Sequence, residues 1–367
     1  MTRKRRRTAS THRATLIRVA IVAFAVVMAA IPLPRSLVET VYSQRVYPIV
    51  RQLVTGLSSL TSLVLFDLLL IAALVALVGW WAVRLIRAPR GGRVRVVVSL
   101  AGHTVVYAAA VYLVFLGVWG LNYRRESLGT QLSYAESRIT EPVLERLTAA
   151  AIDTLNQLYE STQGRSWPQL DELPVRLGPA FERVQQQLGV SPVMSGLMPQ
   201  RSLLTPYFRR AGIDGMVDPF FLQILVTETV LPFERPVVTA HEWAHVAGFA
   251  HEAEANFVAW LTCLAGDEVM RYSAWSSFVP RLLAAVPEAS RQRLTAMLGP
   301  GPRADFAAVR ARLARTIPVV RRNARRVNDR YLKANRVASG VASYGEVLQL
   351  AVGTDLGRRQ WVEHAGP

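Results

Sequence analysis

The stretch His241-Glu242-Trp243-Ala244-His245-Val246-Ala247-Gly248-Phe249-Ala250-His251-Glu252-Ala253-Glu254-Ala255-Asn256 decides how this chain is read, and it holds three of the six histidines. On an α-helix, residues i and i+4 share a face, so His241 and His245 are spaced to bind one metal ion. Glu242 follows His241, where its carboxylate can act as general base on a metal-bound water. His-Glu-x-x-His is the zinc-peptidase spelling. It predicts a helix from near Pro236 to near Gly248, where a glycine that tolerates positive φ lets the chain leave.

Two histidines need a third protein ligand, with the fourth position kept for water. His251 completes His-Glu-x-x-His-x-x-Gly-x-x-His, the metzincin spelling. Glu252 is the rival, because Glu252-Ala253-Glu254-Ala255-Asn256 opens a second helix with Glu252 and Asn256 on one face. There the carboxylate can bind the ion while the Asn256 amide supports a histidine. Glu254 lies about 200° around from Glu252 and points elsewhere. No methionine turn accompanies the motif, since Met270 and Met297 stand within helical text. The reading therefore favours Glu252, with His251 as alternate ligand. Acids at a helix start can merely complement its dipole. Here the flanking helices are almost free of charge, and clustered ionisable groups among apolar residues need a partner.

Outward from the motif, composition points to a membrane. Of 367 residues 51% are hydrophobic, more than an ordinary soluble enzyme carries. The net charge of +17 is uneven: residues 1–121 hold 15 Lys and Arg against Glu39 and Asp67, while the remainder holds 28 against 24 acids. The basicity belongs to the membrane part, which argues against nucleic acid as a partner. The single cysteine, Cys263, excludes an intrachain disulfide and a Cys-rich zinc knuckle, and is expected as a buried thiol.

Three apolar runs, at about 17–34, 60–83 and 96–120, read as transmembrane helices. Basic clusters at residues 3–7 and 84–95 mark the cytoplasmic side, so the N-terminus is expected inside and the chain after residue 120 outside. Residues 35–58 read as an interfacial helix or loop, and Asp67 as a carboxylate at headgroup level. The division expected is a membrane anchor over 1–122 and an extracytoplasmic domain over 123–367. In the latter, Thr140-Glu141-Pro142 opens a helix to about Tyr159. Residues 191–219 read as irregular around a small helix at 203–211. Phe221 to Leu231 reads as a strand. An Arg-rich helical stretch at 304–337 is expected to kink at Pro318 and to present a solvated face.

The chain also resembles a family of bacterial membrane proteins of unknown function with a three-span anchor and a zincin-like outer domain. The matching pieces are Trp119-Gly120-Leu121-Asn122-Tyr123, Gly212-Ile213-Asp214-Gly215 with Pro219-Phe220, and His241 to His245. They continue through Gly248-Phe249, Glu252 to Phe257, Asn328 to Lys333 and Ser343-Tyr344-Gly345. In that pattern Glu-x-Glu-Ala-Asn is the firmer feature and a histidine at position 251 is not expected, which supports Glu252. Tyr344, ahead of Tyr331, is a candidate to stabilise an oxyanion opposite the metal, against a plain packing role. The resemblance implies no substrate.

The expectation is a mainly α chain: three transmembrane helices, then a mostly helical, gluzincin-type zincin-like metallopeptidase domain with a small β-sheet. Zn2+ is the expected cofactor, and a lipid bilayer and a peptide or protein substrate the expected partners. The alternatives are a non-catalytic zinc-containing membrane scaffold and a zinc amidase acting on cell-envelope material.

Overall fold

Apolar sequence without helix breakers builds the first part of the chain. The computed structural model describes residues 2–337 and 346–365. Helix α1 (Thr2–Ala30) stops before Pro32 and Pro34, whose rings exclude the preceding residues from helical geometry. The connection that follows is itself helical: α-helical at Arg35–Leu37, π-helical at Val38–Val46, then α2 (Tyr47–Ser58). Helices α3 (Leu65–Ile86) and α4 (Arg93–Val118) come next. Among the described residues, three segments are long and apolar enough to cross a membrane: His12–Ala30, Leu65–Ile86 and Arg90–Val118. Their side chains face outward; Val75 and Val98 are each 66% exposed, a surface suited to lipid and not to water.

Asp67, expected at headgroup level, is instead buried in the first turn of α3. It accepts hydrogen bonds from Ser202 Oγ at 2.7 Å and the Leu203 amide at 2.6 Å, fastening that span to the globular part. A carboxylate at a helix start that takes up two donors needs no further partner.

The globular part begins with α5 (Glu141–Ser161), where Thr140 is extended and Pro142 occupies the first turn as expected. The expected strand shrinks. In the structure β1 (Gly215–Val217) pairs antiparallel with β2 (Ile224–Val226) in the register Gly215↔Val226, Met216↔Leu225, Val217↔Ile224. Asp218 is responsible: its carboxylate takes the amides of Phe220 and Phe221, and Leu222 adopts φ 54°, so the beginning of the expected strand is a turn. β1 lies where irregular chain was expected.

Helices α6 (Arg235–Val246) and α7 (Glu252–Leu264) carry the motif, and α8 (Glu268–Ala285) packs on both. All of α7 is buried except Asn256, which is half-buried; this explains its lack of charge after Glu254. Trp260, Trp275, Phe278 and Trp361 form its aromatic surroundings, with Trp260 stacked on Phe278 at 4.9 Å. Cys263 is buried, as expected. The Arg-rich stretch is two helices, Pro300–Ala314 and α9 (Pro318–Ala334). Pro318 starts the second and does not kink one long helix, because a missing amide costs nothing in a first turn. One hydrophobic core runs across residue 122: Val38, Tyr42, Tyr47, Phe115 and Trp119 share it with Trp243 and Trp260.

Candidate metal centre

The helical spacing of His241 and His245 puts the two imidazoles 4.6 Å apart, centroid to centroid, at an angle of 82°. Gly248, at φ 102°, reverses the chain after α6, and the amides of Gly248 and Phe249 return to the carbonyls of His245 and Ala244. The reversal brings the Phe249 carbonyl to His245, whose Nδ1 donates to it at 2.9 Å. A carbonyl only accepts, so Nδ1 holds a proton, and Nε2 is the nitrogen left to offer a lone pair when the ring gives up its second proton.

The same turn starts α7 with Glu252 facing both rings. Glu252 Oε2 lies 3.2 Å from His241 Nε2 and 3.6 Å from His245 Nε2. One ligand atom from each of the three residues falls within 4.8 Å of the others. Four ligands held tetrahedrally at roughly 2.0–2.1 Å from an ion stand about 3.3–3.4 Å apart, a spacing that falls between the two distances from Glu252 Oε2. Among the described residues, Glu252 Oε2, Glu242 Oε2 and His241 Nδ1 are buried without a hydrogen-bond partner. Of these, Glu252 Oε2 faces the Nε2 atoms of both histidines, whereas His241 Nδ1 lies on the other side of its ring. A carboxylate oxygen and two imidazole nitrogens so placed suit a transition-metal ion.

The electrostatics agree. Burial would lower His245, but the Glu252 charge outweighs it and raises the imidazole to about 9, while the same attraction overcomes burial to hold Glu252 well below the usual carboxylate range. Burial lowers His241, with His245 and Arg281 adding to the effect. Burial raises Glu242 to about 8, helped by the charges of Glu252 and Asp214.

Glu242 lies against β1. A Cβ on Gly215 would stand 2.4 Å from Glu242 Oε1, so only glycine leaves room for the carboxylate. β1 is tied down by Asp214, which pairs with Arg312; Arg312 also reaches Glu234 at 2.9 Å. The bonds Thr227 N to Asp214 O and Asp218 N to Gln223 O set the phase of the ladder. Asp214, Met216 and Asp218 therefore pair across to β2, while Gly215 and Val217 turn their amides and carbonyls to the other edge, and Glu242 lies over the face of the strand at Gly215.

The remaining expected residues separate. His251 is not brought to the cluster; its Nε2 lies 3.3 Å from the Tyr123 carbonyl and its ring packs edge-on to Tyr123. Glu254 points elsewhere, as expected, and accepts the Leu128 amide at 2.6 Å. Asn256 was expected to support a histidine. Its amide instead donates to the Glu252 carbonyl at 2.7 Å, the i−4 group within its reach, and its Oδ1 accepts from Arg281 at 3.3 Å. Tyr331 bonds Tyr123 and lies close enough to feel the Glu252 charge. Tyr344 lies outside the described residues.

Four contributors were not legible as such. Trp119 Nε1 donates to the His245 carbonyl at 3.0 Å, the Tyr47 hydroxyl to Val246 O at 2.6 Å, and Arg125, paired with Glu39 at 2.8 Å, to Gly248 O at 3.2 Å. Together they add donors to carbonyls at and just past the end of α6, those of His245, Val246 and Gly248. The fourth is Arg281, whose signal was a single charge in the otherwise uncharged stretch Tyr272–Ala285 of α8.

A family model described as a protein of unknown function, DUF3810, matches residues 42–352. No curated protein and no solved structure matches the chain.

Proposed function

The chain belongs to the DUF3810 family of proteins of unknown function, and we propose from its site that it is a membrane-anchored zinc metallopeptidase. The observation that supports this most is the convergence of His241 Nε2, His245 Nε2 and Glu252 Oε2, with Glu242 one residue along the same helix. Zinc bound there would polarise a peptide carbonyl and acidify a water molecule. Glu242, one residue along the same helix and outside the ligand set, is the carboxylate that would accept that water's proton and deliver it to the leaving amine. β1 lies against Glu242, and among the described residues its edge away from β2 has no backbone partner at Gly215 or Val217; that edge suits an extended peptide, which would add there as a strand. His251 is engaged with Tyr123, leaving a coordination position for water, which supports a catalytic site over a closed structural one. With the basic loops inside, the site faces away from the cytoplasm.

The test is direct. Full-length protein purified in detergent should carry one equivalent of zinc and cleave a peptide library, and chelation should abolish cleavage until zinc is restored. Absence of stoichiometric metal overturns the reading. Affinity should also depend on pH. Below about 9 the metal-free His245 holds a second proton that the ion must displace. Zinc affinity measured by chelator competition should thus rise about tenfold per pH unit between roughly 6.5 and 8.5. A second expectation concerns Gly215→Ala. Its methyl would meet Glu242 Oε1 at 2.4 Å and swing the carboxylate away. Turnover should fall by at least about tenfold with zinc content unchanged, because the base is displaced and the ligands are not.

A further inference from the structure

The helical connection between the first two spans has two faces that keep their identity over its whole length. Inward lie Val38, Tyr42, Tyr47 and Arg51, all buried. Outward lie Leu37 at 50% exposed, Val41 at 47%, Val46 at 43%, Ile49 at 60%, Leu53 at 63% and Leu57 at 66%. The steps in the outward row are four and five residues in the π-helical segment, three from Val46 to Ile49 and four within α2, matching the wider turn of a π-helix and the ordinary turn that follows. The π-helical segment therefore keeps one apolar row in phase from Leu37 to Leu57, along about 30 Å of helix.

This row does not face the hydrophobic core, and its position says what covers it. The segment starts just after α1 and ends just before α3, so both of its ends lie at the same end of the bundle. The Tyr42 hydroxyl donates to Gly117 O at 3.1 Å and Ser43 Oγ to Asn122 Oδ1 at 3.3 Å, holding it level with the last turn of α4. An apolar row level with the ends of three candidate spans, and continuous with their own exposed surfaces, meets acyl chains. Its charges divide: Glu39 and Arg51 are turned inward, Glu39 paired with Arg125, while the exposed Arg35 and Arg45 suit the headgroup level of the same interface.

We propose that residues 35–58 lie in the membrane–water interface, with Ile49, Leu53 and Leu57 among the lipid acyl chains, and hold the end of α6 at the membrane surface. The inward face does the holding. Tyr47 takes the Val246 carbonyl, and the Glu39–Arg125 pair takes Gly248 O, so the turn that orients His245 is braced against a helix seated in lipid. The placement is independent of the metal and of hydrolysis, and survives if the peptidase reading fails.

The single cysteine makes the test clean, because Cys263 is buried and does not compete for label. Ile49→Cys, Leu53→Cys and Leu57→Cys, each spin-labelled in the full chain, are reconstituted in phosphatidylcholine vesicles. Gln187→Cys and Gln292→Cys report exposed positions of the globular part, and Val75→Cys the middle of a span. Power saturation is read with oxygen and with a water-soluble nickel chelate. The three labels should be reached better by oxygen than by nickel, resembling position 75, while 187 and 292 show the reverse. Nickel access at 49, 53 and 57 equal to that at 292 overturns the proposal. So does dipolar broadening confined to these three labels, which would assign the face to a second copy of the chain.

Discussion

Glu242→Gln should retain its zinc and lose its activity, with turnover lower by about 10²–10⁴-fold, the usual contribution of a positioned acid–base group. The substitution keeps the shape of the side chain and removes the proton acceptor. Glu242 is outside the cluster of ligand atoms, which comprises His241, His245 and Glu252, so the metal should stay. The measurement pairs elemental analysis with peptide hydrolysis by full-length protein. Unchanged hydrolysis would remove Glu242 from the mechanism and the metallopeptidase reading with it. The same variant offers a route to the substrate, because proteins that persist in membrane or secreted fractions of cells carrying Glu242→Gln are candidates for cleavage.

The second large effect separates two adjacent residues. Glu252→Ala should empty the site, with a loss of zinc affinity well beyond the roughly 10–100-fold expected from removing a supporting hydrogen bond. His251→Ala should leave zinc content unchanged and cost only about 1 kcal/mol of stability, the worth of its 3.3 Å contact with Tyr123 O. Elemental analysis and thermal melting of the two proteins decide the matter. The opposite pattern, metal lost with His251 and kept without Glu252, would restore the metzincin ligand set. The geometry argues for Glu252 because α7 begins at that residue. One position earlier, His251 is extended at φ −77°, ψ 134°, and its ring turns to Tyr123.

Much of the candidate site was legible because it is local. His241, Glu242 and His245 lie within one turn and a half of α6, and Glu252 follows after a reversal that Gly248 announces. Local geometry places such residues whatever the rest of the chain does. The three spans were legible for a similar reason, since an apolar run of that length has few other fates. What failed was set by distant partners. Asp67 was read against an imagined lipid headgroup, but it is satisfied by Ser202 and Leu203, 135 and 136 positions away. The strand was overextended because the alternation of residues 221–231 could not reveal that Asp218 folds their beginning into a turn.

Taken alone, then, the sequence determined a helical chain with three apolar spans and a two-histidine helix followed by an acid-led one, all properties of spacing within single elements. Only the tertiary structure decided what stands around that pair. It placed Gly215 where Glu242 needs room, turned His251 to Tyr123, and brought Trp119, Tyr47 and Arg125 onto carbonyls at and just past the end of α6. Those choices rest on contacts between residues far apart in sequence. Such contacts form only when packing and the need to pair every buried polar group are satisfied together, and no periodicity within one segment encodes that.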